Sequence, residues 1–340
     1  MNMSEPMNII VNEIVDTIVF NETVTNEIGV TKPIKQSKKR ATVEYNGMEL
    51  LVAILVCDVS ITNYIELLTK IEEMKNETHI NVLSFNKPGD FNNYVDDILK
   101  KISMVDEYIT NFRTLTANFK FDGIQCVYIS GKKNTHTKIQ ELNKLVEKKS
   151  AKSDIYVEYA DGQIVGISVK QSRYATKSNY SIHKLISTDA DKQLTNIKKN
   201  YLKENGFSRY DRLKREQVNA LFYPQNKTNP YWNGLKQEIT NNKTLIIKYL
   251  IEPLFCLNVP YDVYEFDGKS FSKLNNIIDI STVTFEEHLP YYLKKTNEER
   301  KTAKLFYRLV VGDKIFRVEV RWKGNIHNAS PQFQIHNDDE

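Results

Sequence analysis

The chain has 340 residues, 41% hydrophobic and 26% charged, with a net charge of +4. That is an ordinary globular composition with enough chain for a sizeable core, in one large domain or two ordinary ones. Three scattered cysteines, Cys57, Cys126 and Cys256, exclude a disulfide framework or zinc knuckle and point to a reducing interior, while the mild positive charge permits a nucleic-acid partner without demanding one.

Residues 1–45 read as a flexible N-terminal arm, polar, rich in Asn and Thr and ending in the basic run KQSKKR. They lack a basic region followed by an apolar one, so no secretory signal is expected and the protein is placed inside the cell, in the cytoplasm or at the nucleoid. The strongly apolar run at 48–61 has its uncharged core bounded by Glu49 and Asp58. It falls far short of the ~20 residues a membrane span needs, so no membrane partner is expected. Helices are predicted near 48–57, 60–76 and 92–117. In the last, Tyr94, Ile98, Ile102, Val105, Ile109 and Phe112 keep a three-to-four spacing, the mark of an amphipathic scaffold helix.

A short strand at 123–130 and a helix at 137–149 follow, the helix with Ile139, Leu142, Leu145 and Val146 on one side. Two β-rich runs then meet at Asp161-Gly162, a strong turn signal. A Lys-rich, largely helical region covers 182–255, and strands return near 259–266, 304–311, 314–322 and 331–336. The order predicts an α/β fold with a mixed sheet flanked by helices. We expect one domain over 46–340, with a helical part at 46–120 and a catalytic and DNA-binding part at 121–340.

Register decides what the hairpin presents. Ile155, Val157 and Tyr159 alternate with Asp154, Tyr156 and Glu158, and Val165, Ile167 and Val169 alternate with Gly166, Ser168 and Lys170. A two-residue loop at Asp161-Gly162 mixes the polar and apolar sets. A three-residue loop of Asp161, Gly162 and Gln163 separates them, sets Asp154 opposite Lys170 and Tyr156 opposite Ser168, and gathers all six apolar residues on the other face. Taken alone, such an Asp–Lys pair is a surface ion pair worth ~0–1 kcal/mol.

The arrangement resembles the PD-(D/E)xK nuclease superfamily, which includes many type II restriction endonucleases. In that family a helix precedes a strand opened by an acid, and the next strand carries an acid, any residue and a lysine. Here the helix at 137–149, Asp154 and the triplet Ser168-Val169-Lys170 take those places. The resemblance spans 137–172 and implies a restriction-endonuclease-like fold, a Mg²⁺ cofactor and hydrolysis of phosphodiester bonds in double-stranded DNA. It implies Asp154 as the metal ligand, the Val169 carbonyl as another, and Lys170 holding the attacking water or neutralising developing charge. Ser168 departs from the pattern, standing where the family has an acid. A second carboxylate is therefore expected from elsewhere, in the order Glu141, Asp191, Glu158. The stretch 316–333, with RWKG and SPQF, is also similar to the end of some restriction-type endonucleases, and Arg321 and Lys323 on one strand face are candidate phosphate contacts. Palindromic cutting implies a homodimer. A repair or junction-resolving nuclease of the same fold, and a catalytically silent DNA-binding or structural protein, remain open readings.

Overall fold

The computed structural model describes residues 46–76, 83–85, 90–130, 136–144, 153–170, 178–226 and 228–338. The expected N-terminal arm and the 145–149 end of the predicted helix lie outside them. From Tyr45 on, the chain forms one compact unit.

Helix α1 (Gly47–Cys57) is apolar apart from Glu49 in its first turn, and Leu50, Leu51, Ile54 and Leu55 are completely buried. Each such side chain contributes about 1.5–3 kcal/mol on burial, so tertiary packing rather than propensity holds this short helix. Its start is fixed from two sides. The Asn46 side chain accepts from the Met48 N–H, and the Gly47 N–H donates to Asp97 Oδ2 at 2.6 Å. A Cβ on Gly47 would lie 2.5 Å from the backbone nitrogen of Ile98, so only glycine lets α1 approach this closely.

After α2 (Tyr64–Asn76) and β1 (Leu83–Phe85), the region read as a single helix over 92–117 is two: α3 (Asp90–Leu99) and α4 (Val105–Leu115), joined through a 3-10 turn at Ile102–Met104. Lys101 N–H closes a tight bond on the Ile98 carbonyl, and Asp97, held by Gly47, also pairs with Lys101. Ile102 is 42% exposed, whereas Tyr94, Ile98, Val105, Ile109 and Phe112 are buried. The period survives the break because both helices turn their stripes into the same core.

The remaining elements are β2 (Ile124–Ile129), α5 (Thr137–Lys144), β3 (Ile155–Tyr159), β4 (Ile164–Val169), β5 (Ser178–Ser181), α6 (Thr188–Glu204), α7 (Arg215–Leu221), α8 (Tyr231–Asn241), α9 (Lys243–Leu254), β6 (Asp262–Phe266), β7 (Phe271–Lys273), β8 (Thr284–Glu287), β9 (Lys304–Val311), β10 (Lys314–Trp322) and β11 (Pro331–Asn337). They build a mixed sheet, β1-β2-β3-β4-β6-β7, and a second, antiparallel sheet, β5-β11-β10-β9-β8. In the mixed sheet β2, β3 and β4 run antiparallel in sequence, and β6 joins β4 in parallel.

Every residue of β3 and β4 is buried, as in a sheet covered on both faces. Ile155, Val157, Tyr159, Val165, Ile167 and Val169 pack with α1, α3 and α4. Tyr156, Ile164 and Val263 face Ile139 of α5 on the other side. In the second sheet, Leu305, Leu309, Val318, Val320 and Phe333 pack against Leu194, Trp232 and Leu250 of α6, α8 and α9. Among the described residues no helix is long and apolar enough to cross a membrane.

Candidate active site at the central hairpin

The β3–β4 pairing sets Ile155 opposite Ile167, Tyr156 opposite Gly166, Val157 opposite Val165 and Glu158 opposite Ile164. The loop is therefore Ala160-Asp161-Gly162, closed by the Tyr159 N–H on the Gln163 carbonyl at 3.0 Å. It has the expected three residues but begins one position earlier. Gly162 has φ +83°, and in a type I turn with a bulge the left-handed residue comes last in the loop, which fixes Gly162 there. The Asp161 carboxylate accepts the Gln163 N–H at 2.9 Å and braces the turn.

This shift keeps every side chain on its expected face and changes only the partners. Asp154 lies beside Ser168, not directly across from Lys170. It sits just before β3, with its N–H on the Ile167 carbonyl at 3.0 Å. Asp154 Oδ2 accepts the Val169 N–H at 2.8 Å and the Ser168 hydroxyl at 3.3 Å. Lys170 Nζ donates to Ser168 Oγ at 2.8 Å and stands 4.0 Å from Asp154 Oδ2. Ser168, 1% exposed, thus bridges the acid and the base. The N–H and C=O of one strand residue point the same way, so the Val169 carbonyl also faces the Asp154 side. Lys170 is held from behind, with its N–H on the Phe266 carbonyl at 2.8 Å and the Tyr108 hydroxyl donating to its carbonyl at 3.3 Å. Gly166 makes room nearby, because a Cβ there would collide with the Ser153 side chain.

The electrostatics bring in Glu49, from the first turn of α1. Burial, with the charge of Asp154 added, pushes its carboxyl up to about 8 despite Lys170 and hydrogen bonding from Asn46 and Tyr94. Desolvation also raises Asp154 above its usual range, Glu265 adds to the rise, and Lys170, the Val169 N–H and Ser168 oppose it. Two carboxylates that both resist ionisation beside one lysine form a site short of positive charge.

No family model matches the chain, and no curated protein or solved structure is detectably similar to it. The site is therefore judged on its own geometry.

Glu141 lies exposed on α5, and no contact with Asp154 is present among the described residues. Asp191 is in the first turn of α6. Glu158 is engaged elsewhere. Its burial favours the neutral acid, but hydrogen bonds from Lys138 and Tyr128 outweigh that and lower it. Two other carboxylates interact electrostatically with Asp154, Glu265 on β6 and Glu49, and sequence reading treated Glu49 only as the boundary of an apolar run. Its signal was a lone acid in the first turn of an otherwise uncharged helix, which packing must either expose or use. Among the described residues no three His, Cys, Asp or Glu side chains converge as a metal cage. Asp154 and the Val169 carbonyl are oxygen donors of the kind Mg²⁺ takes, and Glu49, which feels the charge of Asp154, is the candidate for a further carboxylate. Arg321 lies on β10, 4.0 Å from Glu319, and Lys323 is exposed just beyond the strand.

Proposed function

We propose that the protein is a Mg²⁺-dependent endonuclease acting on double-stranded DNA, of the type II restriction class. The observation that carries this reading is the joining of Asp154, Ser168 and Lys170 on adjacent strands with Glu49 electrostatically coupled to them. The mixed sheet, in which β2, β3 and β4 are antiparallel and β6 is added in parallel, with helices on both faces, is the kind of sheet this reading expects. Asp154, Glu49 and the Val169 carbonyl are the groups that would hold the metal. Bound Mg²⁺ supplies polarisation of the phosphoryl oxygen and a water of lowered pKa. Lys170 offers a cation beside the acids to orient the nucleophilic water and meet the charge that builds on the phosphate. Ser168 is a positioning residue that aims Lys170 Nζ and holds Asp154 in one rotamer. Burial around the hairpin limits solvent and strengthens each charge.

The test is incubation of unmethylated plasmid with Mg²⁺, using wild type and Asp154→Ala. Discrete bands lost in the variant, with DNA binding retained, support restriction. Structure-selective cuts move the reading to a repair or junction-resolving nuclease. A folded wild type that binds DNA and never cuts leaves a silent DNA-binding fold, a reading favoured by Ser168 in place of an acid.

A further inference from the structure

A cleft of 760 Å³ opens over the outer face of the second sheet. Strand alternation creates that face. Leu305, Leu309, Val318 and Val320 point into the core, so Lys304, Arg308, Arg317, Glu319 and Arg321 point away from it. The register sets Arg317 directly beside Arg308 on one neighbouring strand and His336 on the other. Like charges abreast on a sheet are destabilising. Counter-charge is scarce: Glu319 alone lies 2.5 Å from Lys304, 3.6 Å from Arg317 and 4.0 Å from Arg321. The Nε atoms of Arg308 and Arg317 are buried and without a hydrogen-bond partner among the described residues.

The facing wall adds more positive charge. The segment between β8 and β9 brings Lys295, Arg300 and Lys301, together with Lys294, which is paired with Glu298 at 2.9 Å, and the start of α7 brings Arg215. Tyr291 and Tyr292 anchor that segment on Phe306, whose N–H donates to the Tyr292 hydroxyl at 3.0 Å. The lining therefore carries seven Lys or Arg against two acids, in a chain whose whole excess is +4. These cations come from separate elements, and the lining contains no glycine nest to wrap a single phosphate. Such dispersed charge fits a repeating polyanion better than one compact anion.

We propose that this cleft binds the phosphodiester backbone of duplex DNA. The cleft's affinity for a polyanion stands on its own lining, and the choice of duplex DNA as that polyanion rests on the nuclease reading.

The test measures binding of duplex DNA by fluorescence anisotropy without divalent metal, in the Asp154→Ala background. Arg215, Lys295 and Lys301 are changed together to Ala, with a Lys295→Arg/Lys301→Arg variant as the charge-preserving control. With a duplex of about 30 base pairs at about 100 mM salt, the triple variant binds at least ~30-fold more weakly, and its log K against log salt slope is shallower by about 3. The arginine control binds like its parent, and circular dichroism of all variants is the same. Unchanged affinity and slope in a folded triple variant, no duplex binding by the parent, or displacement of DNA by stoichiometric pyrophosphate overturns the proposal. A parent that binds through these residues while wild type never cuts leaves the cleft assignment standing and removes the nuclease reading.

Discussion

Glu49, at the start of α1, retains its proton to about pH 8 partly because Asp154, at the entrance to β3, presents a second negative charge to it. The two residues belong to elements far apart in the chain, and the charge of Lys170 acts on both of them.

Glu49→Gln is expected to separate catalysis from stability. Cleavage falls by at least ~100-fold, the usual size of a lost charge-stabilising group. Stability without metal moves the other way. The folded pKa of Glu49, about 8, lies above its ordinary value of 4.5, so the native state binds the extra proton between them. That contribution is complete below pH 4.5 and is lost as pH rises through 8. Melting curves from pH 4.5 to 8.5 in chelator show wild type losing stability relative to Glu49→Gln toward pH 8. Parallel curves would remove Glu49 from the site.

Ser168→Asp supplies the acid that this position lacks. Ser168 Oγ already lies 3.3 Å from Asp154 Oδ2, so the new carboxylate joins the donor set. The Mg²⁺ concentration for half-maximal cleavage drops, and the double variant Ser168→Asp/Glu49→Gln regains part of the activity lost by Glu49→Gln alone. Absence of any rescue, with wild type active, shows that Glu49 does not replace the missing acid.

Gly47→Ala tests how α1 is seated. The added Cβ meets Ile98 backbone, not a flexible side-chain end, and such overpacking costs about 1–3 kcal/mol. Because Glu49 follows two residues later, cleavage declines further than the folded fraction does. Denaturant titration and initial rates on the same preparation check this, and a purely proportional loss contradicts it.

Lys198 yields a pH dependence unrelated to catalysis. It is 3% exposed, donates to the Ala329 carbonyl at 2.7 Å and lies over the Trp322 ring. Burial pushes its pKa down to about 8. Between that value and its ordinary 10.5 the unfolded chain binds the extra proton, so stability rises with pH across the window. Comparison of wild type with Lys198→Met from pH 7.5 to 10.5 shows a rise confined to wild type.

The hairpin was legible because alternation in two short runs assigns every side chain to a face, whatever the exact loop. The partners were misassigned because the turn was placed by its Asp-Gly pair and not by the left-handed residue, Gly162, that must end it. Strands β9, β10 and β11 were equally plain, being long and alternating. β1, β5, β7 and β8, with three or four residues each, carry too little pattern to stand out. Their pairing comes from longer neighbours. Glu49 illustrates the limit for the site: sequence marks a charge in an apolar helix but does not reveal that it feels the charge of distant Asp154.

Those short strands have a consequence for self-association. Both sheets end on them, β1 and β7 in one and β5 and β8 in the other. Long bare edges invite strand addition and fibre growth. Here each described edge offers only three or four residues of backbone, a poor template for another polypeptide. Any pairing of two copies therefore falls to side-chain surfaces, whose contacts can form and part without extending either sheet.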